Sequence, residues 1–204
     1  MNIGCVVMAA GRSVRFGSNK LLHPLAGRPV LAHVLDSLPR RRLSRITAVA
    51  SAPEVARLCH RAGIPCLLYE GGPQSETIRL GIGAMAGTDG CMFVMGDQPL
   101  CSTGSMERLA DAFTAHPDAV IRLAFRGRPC SPVIFPSRYY PQLAALSGER
   151  GGMAAVAGLS PRLCLVEAEE EAELWDSDTP EELKRLEAHL LEKMNRHTKD
   201  GLPL

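Results

Sequence analysis

Apolar residues in this chain fall into short continuous runs, separated by stretches in which they recur every three or four positions. The first run, Ile3 to Ala9, is rich in Val and Ile and leads into Ala10-Gly11. Further runs occupy Ile46 to Ala50, Ile64 to Tyr69, Cys91 to Met95 and Ala119 to Ala124. Short runs without alternation suit strands buried on both faces. Between them the spacing predicts helices over Pro29 to Leu38, Pro53 to Ala62, Glu76 to Met85 and Ser102 to Ala115. Pro29 is placed at a first helical position, and the Ser102-Thr103 pair supplies a cap. Strands alternating with helices imply a mostly parallel sheet with right-handed crossovers.

The alternation loosens after residue 125. Pro132 to Phe135 and Leu163 to Val166 are expected as strands, Arg138 to Leu146 and Gly152 to Gly158 as short helices. A last helix is announced by Thr179-Pro180-Glu181-Glu182, a cap followed by a first-turn Pro and two acids. Leu183, Leu186, Leu190 and Met194 follow at helical spacing, and the leucines form a core stripe. No internal repeat or long linker divides the chain. Residues 1–195 are expected to form one domain and 196–204 a flexible tail.

Composition narrows the partners. Lys and Arg number 23 against 22 Asp and Glu, a formal charge of +1, so no broad cationic field is available for a nucleic acid backbone. Aromatics are 4%, too few for base-stacking platforms. No run of about 18 apolar residues occurs, so neither a membrane span nor a membrane partner is expected. The first residues lack the early basic group and long apolar core of a signal peptide, and a cytoplasmic location is expected. The cysteine count is seven, an odd number, without Cys-x-x-Cys; small buried thiols are expected rather than disulfides or zinc.

Residues 8 to 20 carry the densest chemistry: a buried strand runs into a loop with Gly11 and Gly17, two arginines (Arg12 and Arg15) and Lys20. Glycine lets backbone N–H groups approach an anion, while Arg and Lys neutralise phosphates. The loop lacks both Gly-Lys-Ser/Thr and Gly-x-Gly-x-x-Gly, so it is a phosphate loop of neither common type, or a turn that exposes basic residues. In Cys91 to Pro99 an apolar strand delivers Asp97 at its carboxyl edge, where open α/β sheets bind ligands. Such a carboxylate either holds Mg²⁺ on triphosphate oxygens or caps the next helix. Asp176 and Asp178 sit just before the last helix, where capping is the simpler reading. Ser75 and Thr77 lie in a Gly-rich segment before a helix, as base-side contacts or plain caps.

Together these motifs resemble the MobA-like nucleotidyltransferases related to the molybdenum cofactor enzymes. The resemblance rests on Ala9-Ala10-Gly11-x-Ser13-x-Arg15-Phe16-Gly17-x-x-Lys20, on Gly96-Asp97-Gln98-Pro99 and on Asp176-x-Asp178-Thr179-Pro180-Glu181-Glu182-Leu183. It covers nearly all of residues 2 to 190. It implies a three-layer α/β nucleotide-diphospho-sugar transferase (GT-A/Rossmann-like) fold with a mostly parallel mixed sheet of about seven strands. It implies in-line transfer of a nucleotidyl group onto an acceptor phosphate, with Mg²⁺ as cofactor. Ala9, Ala10, Gly11, Arg12, Ser75 and Thr77 would bind the nucleotide. Arg15, Lys20 and Asp97 would be catalytic. Asp97 and Asp178 would hold the metal, with Asp176 as the alternative to Asp178.

Ala10 is similar to the cytidylyl branch, whose guanylyl relatives carry Gly there, so CTP is favoured with a molybdopterin-type acceptor and a molybdenum hydroxylase as partner. The segment Gln74-Ser75-Glu76-Thr77 departs from the branch's Met-Ser-Ser-Ser. Residues 127 to 153 resemble the acceptor half, but Ser131 stands where relatives often have His. The rival readings are a guanylyl or other nucleotidyltransferase acting on a small phosphorylated metabolite, a non-catalytic cofactor chaperone and a nucleotide sensor. Arg40 to Arg42 with Arg45, and the acidic run Glu167 to Glu173, are read as solvated surface; His23, close to the phosphate loop, is read as loop packing or an exposed side chain rather than a catalytic group.

Overall fold

The computed structural model describes residues 1–11 and 19–199. The chain forms β1 (Ile3–Ala9), a hairpin of β2 (Pro24–Leu25) and β3 (Arg28–Pro29), α1 (Val30–Ser37), β4 (Arg45–Ala50), α2 (Pro53–Arg61) and β5 (Cys66–Leu68). It continues through α3 (Gln74–Gly83), β6 (Gly90–Met95), α4 (Thr103–Ala115), β7 (Val120–Phe125) and β8 (Arg128–Pro136). It closes with α5 (Tyr140–Ala144), α6 (Gly152–Val156), β9 (Leu163–Glu167) and α7 (Pro180–Lys199). The seven-stranded sheet has the order β5-β4-β1-β6-β8-β7-β9. β5, β4, β1 and β6 are mutually parallel, β8 runs antiparallel to β6 and β7, and β9 is parallel to β7.

Strand alternation sorts the core into two layers. Along β1, Cys5, Val7 and Ala9 join a cluster with Leu31 and Leu35 of α1, Val55 of α2 and Leu109 of α4. Val6 and Met8 face the other way, into a cluster with Ile78 of α3, Leu143 of α5 and Val156 of α6. β1 is buried at every position because helices cover both faces and strands flank both edges. The approach of α3 is close: a Cβ on Gly81 would stand 2.6 Å from the Val6 side chain. A third cluster joins Leu25 and Val30 to Leu186 of α7.

The expected fold class holds, and most strands and helices fall within a few residues of their expected bounds. The departures are local. Continuous apolar runs do not mean burial at the sheet edges: Leu67 and Leu68 of β5 and Leu163 and Leu165 of β9 are exposed. Pro29 ends β3 and precedes α1 rather than opening it. The β2–β3 hairpin was not foreseen; its turn places Ala26 and Gly27 at φ 47° and 79°, both left-handed as a two-residue hairpin of the tightest kind requires. α7 runs through Lys199, and residues 200–204 lie outside the described part.

Arg40 to Arg42 and Arg45 are exposed, as expected, though three of these side chains also reach partners on neighbouring elements, and the acidic run is not solvated throughout. Arg40 donates to the Ala62 carbonyl at 3.1 Å, Arg42 pairs with Asp111, and Arg45 donates to the Ala84 carbonyl at 2.8 Å. Within the acidic run, Glu173 is 1% exposed and accepts from the Ser102 and Glu169 backbone N–H groups. Glu170 pairs with Lys193 and His189 of α7. All seven cysteines are free; Cys5, Cys59, Cys91 and Cys101 are buried, whereas Cys66, Cys130 and Cys164 are partly accessible.

Candidate active site

After β1 the chain builds outward to β4 and β5, then returns to the other side of β1 as β6. A crevice therefore opens at the carboxyl ends of β1 and β6, where such sheets bind ligands. Ala10 and Gly11 follow β1; Gly96 and Asp97 follow β6. The Gly96 N–H donates to the Met8 carbonyl at 3.0 Å, and a Cβ on Gly96 would stand 2.9 Å from that oxygen. Glycine at this position thus lets the strand ends close together and sets Asp97 at the rim.

Lys20 opens a single 3₁₀ turn, Lys20–Leu22, whose Leu21 N–H donates to the Asn19 side chain at 3.1 Å. Asp178 arrives from the opposite end of the sequence. The Ser177 N–H donates to the Asp97 carbonyl at 3.1 Å, and the Gln98 amide donates to the Leu174 carbonyl at 3.4 Å. Thr179 then caps α7, accepting from the Glu182 N–H at 3.2 Å while its hydroxyl donates to the Glu182 carboxylate at 3.1 Å. These ties bring three motifs to one point. Lys20 Nζ donates to Asp97 Oδ2 at 2.5 Å and to Asp178 Oδ1.

Lys20 is 7% exposed. Burial disfavours its ammonium, but the Asp97 and Asp178 carboxylates more than offset this and hold its pKa above the ordinary lysine value. Asp176 lines a small recess together with Trp175, Glu182 and Arg185. Its carboxyl is raised, first by burial and then by the Asp178 and Asp97 charges. Two carboxylates directed at one cation form a hard oxygen pair suited to a divalent metal. Among the described residues no group of three or more His, Cys, Asp or Glu side chains could hold a metal alone. The pair therefore fits a metal completed by ligand oxygens, as for Mg²⁺ on a polyphosphate.

The crevice is about 530 Å³ and is lined by Ala10, Gly11, Lys20, Thr77, Asp97 and Asp178 among the expected residues. Ala9 packs in the core and Ser75 is buried; neither lines it. The Thr77 hydroxyl is bonded to Tyr69 at 2.8 Å. Arg12 and Arg15 lie outside the described residues. Three participants were not singled out beforehand. Gln98 links the β6 end to the C-terminal segment. Gln74 lines the wall, and its N–H donates at 3.2 Å to Glu149, which reaches over from the 147–151 loop. Glu149 falls within residues 127 to 153, the stretch that resembles the acceptor half, so its region carried a signal.

Sheet order and the crevice at the strand ends define a three-layer α/β protein of the nucleotide-diphospho-sugar transferase fold. More specifically, the chain belongs to the family of the MobA-like NTP transferase domain, whose model matches residues 5–163. It is 37% identical over 141 residues to the bifunctional protein GlmU of Rhodospirillum rubrum, covering 63% of this chain and 29% of that protein. The chain thus spans less than a third of that relative. It is 28% identical to the purine catabolism protein PucB of Bacillus subtilis, covering 87% of this chain and 92% of PucB.

Among solved structures, a nucleotidyl transferase from Methanothermobacter thermautotroptrophicus superposes with a TM-score of 0.81 at 24% identity, over 94% of this chain and 99% of that one. Rv0371c from Mycobacterium tuberculosis, solved as a complex with manganese, gives 0.73 at 22% identity, over 92% and 99%.

Proposed function

We propose that this protein transfers CMP from CTP to the terminal phosphate of a molybdopterin-type acceptor and releases pyrophosphate. The observation that carries the reading is the convergence of Lys20, Asp97 and Asp178 at the carboxyl edge of β1 and β6. An acceptor phosphate oxygen attacks the α-phosphorus in line; its new P–O bond forms as the bond to the bridging oxygen of the β-phosphate breaks. The acceptor phosphate is already ionised, so the protein works by positioning and charge neutralisation rather than by proton abstraction. Backbone N–H groups at Gly11 and Arg12 hold phosphate oxygens. Arg15 and Lys20 offset charge on the departing pyrophosphate. Ala9 and Ala10 bring the backbone up to the nucleotide, and Thr77, which lines the crevice, shapes its base and ribose side. Asp97 and Asp178 would hold Mg²⁺, which when bound would supply further neutralisation of phosphate charge. Ala10, small and at the crevice wall, is the residue that favours CTP over GTP.

The reading implies a cytoplasmic enzyme that passes its product to a molybdenum hydroxylase. Thermal stabilisation by CTP, GTP, ATP and UTP, each with and without Mg²⁺, tests the nucleotide. The largest Mg²⁺-dependent shift is expected with CTP. A larger shift with GTP moves the protein to the guanylyl branch, and no shift with any triphosphate removes the nucleotide site. Acceptor-dependent pyrophosphate release then separates an enzyme from a chaperone or a sensor.

A further inference from the structure

A second recess of about 170 Å³ continues from the crevice and shares Met8, Gln74 and Met95 with it. Its floor is a patch of sheet. Phe93 pairs with Val133, and Val133 with Arg122, so these three form one row across β6, β8 and β7. Alternation puts Arg122 on the same face as Val120, which belongs to the layer of α3, α5 and α6. Phe135 extends the floor, and its ring meets Phe93 edge-on with centroids 5.9 Å apart. Ser131 adds a hydroxyl at one side.

Arg122 is partly buried on this floor, and burial disfavours its charge, which a bound anion would offset. Its Nε donates to the Cys130 carbonyl at 3.3 Å. Among the described residues no carboxylate pairs with it within salt-bridge distance. The rest of its fork is suited to an oxyanion, which a guanidinium binds in bidentate fashion. The volume suits a single ring, since a cavity of roughly 150 Å³ accommodates benzene. Lys20, Asp97 and Asp178 line the crevice but not this recess.

We infer that this recess holds the body of the acceptor, and that Arg122 binds an anionic group carried on a flat, apolar ring system. The inference rests on the nucleotidyl-transfer reading above and specifies the chemistry of its second substrate. Arg122 then discriminates acceptors without touching the nucleotide.

The probe is phenyl phosphate, with phenol as its uncharged counterpart, titrated by ligand-observed NMR onto protein saturated with a non-hydrolysable CTP analogue and Mg²⁺. Phenyl phosphate should bind at least tenfold more tightly than phenol. Arg122→Gln should weaken phenyl phosphate at least tenfold and leave the CTP analogue's affinity unchanged. Arg122→Lys, which keeps the charge and loses the fork, should fall between. Equal binding by R122Q and the unaltered protein, equal binding of phenol, or no phenyl phosphate binding overturns the inference. Failure of the CTP analogue to bind is a failure of the nucleotide reading instead, and the same titration on nucleotide-free protein still reports on Arg122.

Discussion

Lys20 holds two carboxylates with one ammonium, and its removal leaves both facing each other across the crevice. If it neutralises the leaving pyrophosphate, Lys20→Met should cost about 2–4 kcal/mol of transition-state stabilisation, the size found for a lost electrostatic donor. Asp97→Asn should cost a similar amount. In rate this is about 30- to 1,000-fold, read as pyrophosphate release under saturating substrates. Turnover near that of the unaltered protein in either variant would remove that residue from the catalytic set. Gly96 acts one step back. Its Cβ would stand 2.9 Å from a backbone oxygen, which cannot swing aside as a side chain can. Gly96→Ala should therefore destabilise the fold by about 1–3 kcal/mol and reduce the stabilisation given by CTP, because Asp97 is its next neighbour. A melting curve with and without nucleotide checks both.

At the scale of elements, Glu173 is a buried acid that anchors the start of α4. Burial alone would raise its pKa, but the donors at Ser105, Ser102 and Glu169 outweigh that and hold it below the ordinary value of 4.5. A lowered folded-state pKa means stability that is fully present above the unfolded value and lost as pH falls through the folded one. Glu173→Gln should thus cost about 1.5–3 kcal/mol near neutral pH, as for hydrogen bonds to a charged group. The gap between variant and unaltered protein should close as pH falls below 4.5; a pH-independent gap in urea midpoints would contradict this.

The same acid shows where sequence stops being legible. Periodicity located β1, α2 and α4 because each fills a full buried face. It missed the two-residue strands of the β2–β3 hairpin, which are too short to have a period. It assigned Glu173 to a solvated surface, because burial of one acid depends on the 3₁₀ turn at Glu171–Leu174 folding back onto α4. Lys20 and Asp97 are 77 positions apart, and Lys20 and Asp178 are 158 apart. Their motifs were readable one by one through family resemblance, whereas their meeting is a product of strand order. Arg122 left no such mark, because a lone arginine in an apolar strand has no motif to belong to.

At the scale of the molecule, the crevice joins both ends of the sequence. Its floor comes from the first strand, while Asp178 hangs from the start of the last helix. α7 is fastened by Leu186, fully buried against Leu25 and Val30 beside the turn that carries Lys20. One small apolar cluster therefore positions both Lys20 and Asp178 without touching either. Leu186→Ala should cost about 2–5 kcal/mol through lost contacts and the cavity left behind, at about 2–4 °C of melting temperature per kcal/mol for a chain of this size. It should also shrink the additional Mg²⁺-dependent shift with CTP, since the carboxylate pair loses its fixed spacing. Leu191→Ala, five residues on and 44% exposed, is the control; it should stay within about 0.5 kcal/mol and keep the full nucleotide response. If the two variants melt alike, α7 is a surface addition. If L186A melts lower but keeps the full CTP shift, the cluster supports the fold without setting the site.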